Sequence, residues 1–143
     1  MYIVSACLLS IECKYNGGHN RNQKVIDFLE NKKYTAICPE IQGGLKSPRL
    51  PSEIIGNRVF SKDGTELTEA FKKGAEISWE GALKASMYEN ESLEGAILMP
   101  RSPSCGIGQI YDGSFSKKLV SGDGIAAAFL KSKGIKLILP EEL

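Results

Sequence analysis

Four cysteines lie in three short segments of this chain. Cys7 and Cys13 share Ser5-Ala6-Cys7-Leu8-Leu9-Ser10-Ile11-Glu12-Cys13, Cys38 opens Cys38-Pro39-Glu40, and Cys105 follows Arg101-Ser102-Pro103-Ser104. Gly, Pro, Ser or acidic residues accompany each of them. Any single cysteine is ordinarily a buried, inert small hydrophobe, but these polar settings argue against that for all four. Dispersed thiols gathered by a fold are the raw material of a metal or iron–sulfur site, or of a thiol active site. Structural zinc usually shows ligands paired two to four residues apart. The chain has no Cys-x-x-Cys, and Cys7 and Cys13 are six apart. Dispersed thiolates suit an iron–sulfur cluster better. Three of them on a cubane would leave one iron open as a Lewis acid for a soft atom such as sulfur. A thiol–disulfide protein working through Cys7 and Cys13 stays open, as does one that only holds zinc or carries sulfur.

Other side chains add to this. Glu40 stands two residues past Cys38, beyond a proline that fixes the local backbone, and reads as a general base or water-positioning carboxylate. Ser102 and Ser104 flank Pro103. Hydroxyls in such settings commonly bond nearby backbone, and Ser102, nearest the preceding strand, is the one expected to touch a substrate. Arg49, Arg58 and Arg101 could hold an anionic or carbonyl-bearing ligand. His19, the only histidine, follows turn-forming residues and reads as a surface loop. Asp112-Gly113 and Asp123-Gly124 read as turns, Asp123 also as a helix cap, and Gly106-Ile107-Gly108 is no nucleotide fingerprint.

The elements that must position these groups alternate. Tyr2-Ile3-Val4 reads as a first strand, ending at Ser5-Ala6-Cys7. A turn-rich stretch follows, and Asn22 caps a helix with Val25, Ile26 and Leu29 on one face. Tyr34–Ile37 is a second strand, stopped by Pro39. Residues 41–58 form a long connection, of a length that is usually functional or disordered. Residues 59–67 resemble a hairpin with Asp63-Gly64 at its turn. Thr68 caps a long helix striped with Phe71, Ala75, Trp79, Ala82 and Leu83, running to about Tyr88. Ala96–Met99 is a third strand, followed by a glycine-rich excursion. A last helix carries Ile125, Ala128, Phe129 and Leu130 and stops at Gly134. Ile135–Leu139 is the fourth strand.

Strand and helix in alternation predict an α/β fold, a single-domain Rossmann-like three-layer sandwich around a mainly parallel four-stranded sheet. Residues 1–143 carry no internal repeat or linker. In such a sheet the strands end along one edge, where ligands bind. Cys7, Cys38 and Cys105 each fall just past a strand end, so one geometric rule gathers three distant thiols.

Composition sets the bounds. The chain of 143 residues is long enough for a sizeable core. A net charge of +1 offers no broad field for nucleic acid or for an anionic membrane surface. No apolar run could span a bilayer, and Met1–Ser5 does not begin a secretory signal. The expectation is a cytoplasmic protein with reduced thiols, acting on a small molecule.

Assembled in order, these segments resemble one family, the thiouracil desulfurases (TudS-like proteins). The likeness rests on Val4-Ser5-Ala6-Cys7-Leu8-Leu9, Cys13-Lys14-Tyr15-Asn16-Gly17-Gly18, Cys38-Pro39-Glu40 with Gly43-Gly44-Leu45, and Pro48-Arg49. It continues through Phe71 with Gly74-Ala75, Arg101–Gly106, Ile110–Gly113 and Gly122-Asp123-Gly124. The resemblance implies an oxygen-sensitive 4Fe-4S cluster held by Cys7, Cys38 and Cys105. It implies a fourth iron that binds the sulfur of a thiolated nucleobase, and replacement of that sulfur by water without net redox change. Glu40 would activate water or shuttle protons, Ser102 would assist at the substrate, and Cys13 would lie near the cluster without ligating it. Two departures stand out. Ser10 occupies a position usually held by glycine, and Met99-Pro100 replaces a commonly basic and small pair.

Overall fold

The computed structural model describes residues 1–143. Its sheet is built from β1 (Tyr2–Ser5), β2 (Tyr34–Ile37), β5 (Gly95–Ile97) and β8 (Leu137–Ile138), in spatial order β2-β1-β5-β8 and parallel throughout. Ile3 faces Thr35 on one side and Ala96 on the other. The third and fourth strands are shorter than expected, although Leu98 N–H still reaches Ile138 O at 3.2 Å.

Alternate residues of β1 feed two cores, as a pleated strand requires. Ile3 packs with Ile37, Ala96 and Leu98 against Ala82 of α3 (Thr68–Glu89) and Ala127 and Leu130 of α4 (Ile125–Ser132). Val4 and Ile97 face the other way, onto Val25 and Leu29 of α1 (Gln23–Leu29). The result is the expected three layers, with α1 on one face and α3 and α4 on the other. Chain connections leave β1 in one direction and β5 in the other, so the crevice between these two strands is the topological switch point of the sheet.

Asn22 caps α1 as expected, its Oδ1 accepting Val25 N–H at 3.1 Å. Two other caps differ. Leu67 is the N-cap of α3, and Thr68 Oγ1 instead accepts Val59 N–H at 2.9 Å from a neighbouring strand. Gly124 is the N-cap of α4, while Asp123 Oδ1 accepts Gly108 N–H at 2.7 Å. In both cases a tertiary partner outcompetes the helix end for the side chain.

The long connection holds structure that local pattern did not reveal. A single helical turn, α2 (Pro39–Gln42), follows β2 directly, with Cys38 as N-cap and Pro39 in the first turn. Next come β3 (Ser52–Ile55) and β4 (Arg58–Ser61), an antiparallel pair turning at Gly56-Asn57. Asp63-Gly64 does turn, but it closes only an isolated bridge between Phe60 and Glu66. The glycine-rich excursion contains a second small ladder, β6 (Gln109–Tyr111) with β7 (Leu119–Ser121). Phe71, Ile54, Val59 and Ile110 form the separate apolar cluster that docks these ladders on α3.

Helices α2 and α3 touch backbone to backbone. A Cβ on Gly74 would stand 1.8 Å from Pro39 O, and one on Gly43 would stand 2.1 Å from Ala70 O. Gly81, on the same helix as Gly74, has nothing within 4 Å. Helix propensity alone favours alanine over glycine at both helical sites by about 1 kcal/mol. Gly81→Ala is therefore expected to raise the melting temperature. Gly74→Ala is expected to lower it, because the carbonyl of Pro39 must move and carry Cys38 and Glu40 with it. Thermal melts of the two variants check this, and equal shifts would deny the close approach.

Candidate active site

All four thiols border one cavity of about 480 Å³ at the C-terminal edge of the sheet. Cys7 sits in the 3-10 turn Ala6–Leu9 directly after β1, Cys38 caps α2 after β2, and Cys105 lies on the loop after β5. Cys13 comes back to the same place on the following loop. Ser10 makes that return with φ +73, a left-handed conformation that glycine adopts without steric cost. All four cysteines are free.

The thiols form a connected group. Cys38 Sγ donates to Cys13 O at 3.8 Å. Cys38 lowers the proton affinity of Cys13, but Cys7 and burial outweigh it and push the Cys13 thiol up to about 11. The Cys13 thiol and burial both push Cys38 well above the ordinary thiol range. Burial pushes Cys105 up to about 12, against the lowering effect of the Ser5 and Ser104 hydroxyls. Without a cation Cys13, Cys38 and Cys105 hold their protons at neutral pH, so a soft metal group that takes these thiolates must displace protons to bind.

Backbone ties hold the arrangement. Gln42 Oε1 accepts Cys38 N–H at 3.1 Å and the Ser78 hydroxyl at 2.6 Å, locking the cap of α2 to α3. Asn20 N–H donates to Cys7 O at 2.8 Å. The Asn20 side-chain amide approaches Met99 Sδ at 3.3 Å and Cys7 Sγ at 3.9 Å, and its oxygen accepts Lys14 Nζ at 2.8 Å.

Glu40 faces the same cavity and is held from two sides. Arg49 Nε donates to Oε1 at 3.0 Å, and Nη2 lies 3.0 Å from the same oxygen as an ion pair. The Ser104 hydroxyl donates to Oε2 at 2.8 Å. Arg49 also donates to Cys13 O at 3.0 Å and Lys46 O at 2.9 Å. Its expected role as a ligand arginine therefore gives way to that of a clamp on Glu40 and on the Cys13 loop. Side-chain exposure of 12% for Arg49 and 13% for Glu40 puts the pair in a setting where one unpartnered member costs about 1–3 kcal/mol. Arg49→Ala is expected to lower the urea midpoint accordingly. Arg49→Lys should recover only part of the loss, since a lysine keeps the charge without the two-pronged geometry. Full recovery by lysine would assign the effect to charge alone.

Ser102 lines the cavity. Its Oγ accepts Ser104 N–H at 3.1 Å and Cys105 N–H at 3.0 Å and lies 2.9 Å from Ser104 Oγ. It shapes the turn that presents Cys105. Arg101 is at the rim with φ +64. Arg58 is elsewhere, paired with Glu66 at 2.6 Å, and exposed His19 accepts Arg21 N–H outside the cavity lining. Neither belongs to the site.

Sequence reasoning missed Glu53. Its Oε1 accepts the N–H groups of Gly113 at 2.9 Å and Phe115 at 3.1 Å, fastening the loop that places Phe115 and Lys117 on the cavity wall. A lone glutamate in an apolar strand carries no local signal of a partner sixty residues away.

No three His, Cys, Asp or Glu side chains converge on a point that one metal ion could occupy. The four cysteines border the same cavity. The donor set is soft, as iron–sulfur chemistry requires, and these residues are compatible in chemistry with such a group.

Fold and site together define a parallel α/β protein with a thiol-lined pocket at its switch point. A family model described as 2-thiouracil desulfurase matches residues 2–142, and the chain belongs to that family. It is 41% identical over 147 residues to the uncharacterized protein YbbK of Bacillus subtilis (strain 168), covering 100% of this chain and 97% of that one. It superposes with a TM-score of 0.85 on a solved structure of the 4Fe-4S-dependent thiouracil desulfidase TudS. That match has 36% identity and covers 99% of this chain and 91% of the other. No helix is long and apolar enough to cross a membrane.

Proposed function

We propose that this protein is an iron–sulfur-dependent desulfidase. It replaces the sulfur of a thiolated nucleobase of the thiouracil type, or of a related thiocarbonyl compound, by oxygen from water. The thiocarbonyl and water become a carbonyl and hydrogen sulfide, with no net oxidation or reduction. The observation that carries this reading is the meeting of four thiols and a clamped carboxylate in one cavity. Membership of the family and the likeness to a 4Fe-4S-dependent thiouracil desulfidase support it.

Cys7, Cys38 and Cys105, one from each strand-end loop, would hold a 4Fe-4S cluster, with Cys13 beside them. That cluster, when bound, supplies an open iron that a soft thiocarbonyl sulfur prefers to hard ligands. Glu40 takes a proton from water as the water oxygen attacks the carbon that bears sulfur. Arg49 holds that carboxylate in place. Ser102 assists at the substrate by holding, through its hydroxyl, Ser104 and the loop that presents Cys105. Phe115 and Tyr111 on the cavity wall offer apolar faces on which a flat base can rest.

The test is anaerobic reconstitution with iron and sulfide, followed by assay of sulfide release from 2- and 4-thiouracil. Release supported by the reconstituted protein is expected. A cluster without release would retain the site and reject these substrates. Tight zinc retention with no cluster would return the chain to a metal- or sulfur-binding protein. A reversible Cys7–Cys13 disulfide tied to function would make it a thiol redox protein.

A further inference from the structure

We infer that Ser104 is a positioning residue that sets which oxygen of Glu40 accepts the proton, a role that rests on the reading of Glu40 as the base. Ser104 is 3% exposed, and nothing in its sequence setting distinguishes it from an ordinary turn serine.

A count of protons and lone pairs gives the direction. A carboxylate facing a guanidinium accepts hydrogen bonds and donates none. The Ser104 hydroxyl reaches Glu40 Oε2 at 2.8 Å and Cys105 Sγ only at 3.8 Å, and its single proton goes to the nearer, charged acceptor. The 2.9 Å contact between the two serine hydroxyls then has only one polarity, with Ser102 donating to Ser104. Ser102 Oγ in turn accepts the amides of Ser104 and Cys105, so its two lone pairs and its proton are all used. The chain is directional. Two backbone amides fix Ser102, Ser102 fixes Ser104, and Ser104 fixes Glu40.

On the other oxygen, Oε1 accepts Arg49 Nε–H and has the Nη2 end of the guanidinium 3.0 Å away. Each carboxylate oxygen offers about two acceptor sites. Oε1 therefore faces the guanidinium cation, whose charge disfavours a proton on that oxygen, while Oε2 accepts only the Ser104 hydroxyl and keeps one site free. Ser104 and Arg49 between them stop the carboxylate from rotating to exchange its oxygens, and leave the spare lone pair of Oε2, away from the guanidinium, as the one that receives a proton from water. The amide of Cys105 is one of the two that anchor the chain, so the base is held in register with the loop that presents a thiol. Misplacement of a reacting group by about 1 Å can cost about a hundredfold in rate.

The test compares Ser104→Ala and Ser104→Thr with the unmodified protein, all reconstituted anaerobically. Ser104→Ala is expected to carry full iron, keep its KM, and lose kcat by about tenfold to a hundredfold. Ser104→Thr keeps the hydroxyl and is expected to stay within a few-fold of the original kcat. An infrared readout is independent of turnover. The carboxylate stretching band of Glu40, identified as the band missing in Glu40→Gln, should shift in Ser104→Ala and hold its position in Ser104→Thr. Loss of iron in Ser104→Ala would place the task of the hydroxyl on Cys105 and overturn the inference. An unchanged kcat with an unmoved band would also overturn it, as would a threonine variant as slow as alanine with iron in full. If the unmodified protein releases no sulfide while the band still shifts, the desulfidase reading fails and the Ser104–Glu40 link stands.

Discussion

Protein carrying Cys38→Ala is expected to assemble no iron–sulfur cluster on anaerobic reconstitution and to release no sulfide, while keeping its fold. The fold survives because the backbone of Cys38 is held by other means. Its amide donates to Gln42 Oε1, its carbonyl accepts Gln42 N–H at 2.9 Å, and Pro39 opens the helical turn that follows. Removing one half-buried sulfur from such a position costs about 1 kcal/mol. The effect on the cluster is far larger, because one of the few sulfur donors that line the cavity, the thiol beside Cys13 O, is lost. Cys7→Ala and Cys105→Ala are expected to behave alike, whereas Cys13→Ala is expected to retain iron. Iron and sulfide analysis beside a circular-dichroism melt separates cluster loss from unfolding. Full iron in Cys38→Ala, or none in Cys13→Ala, would require a different set of three ligands.

Glu40→Ala is expected to have the opposite signature, with the cluster retained and turnover reduced by about 100- to 10,000-fold, the usual contribution of a positioned general base. The separation follows from geometry. Glu40 bonds Arg49 and Ser104 and no thiol directly. The variant also strands the guanidinium of Arg49, mostly buried, with only backbone carbonyls to accept from it. A stability loss of about 1–3 kcal/mol is therefore expected as well, and rates must be compared well below the melting range. Turnover at the original rate in folded, iron-replete Glu40→Ala would remove Glu40 from the chemistry and leave it as a structural partner of Arg49.

Both variants touch residues that were visible without coordinates, for a reason of topology. The alternation of strand and helix predicts a parallel sheet. A parallel sheet aligns its strand ends, so Cys7, Cys38 and Cys105 had to meet on one edge. Pro39, which cannot continue a strand, placed Glu40 at that edge too. Local chemistry of this kind is legible because strand ends, prolines and cap residues act over two or three positions, as Asn22 does in capping α1.

What tertiary structure decided lies in contacts between residues far apart in sequence. Thr68 and Asp123 have the side chains of helix caps, yet each bonds a distant backbone amide. Arg49 looked like a free cation until the fold brought it to Glu40, and Ser104 looked like a turn former until the loop after β5 met the turn after β2. Gly43 and Gly74 carry no local sign that two backbones meet across them. The number and kind of sulfur donors were determined by the sequence, along with the edge on which three of them lie. The backbone path that returns Cys13 to the other three, the oxygen of Glu40 turned away from Arg49, and the shape of the cavity were decided only by packing. A hydrogen bond between groups thirty or sixty residues apart leaves no pattern in the residues around either of them.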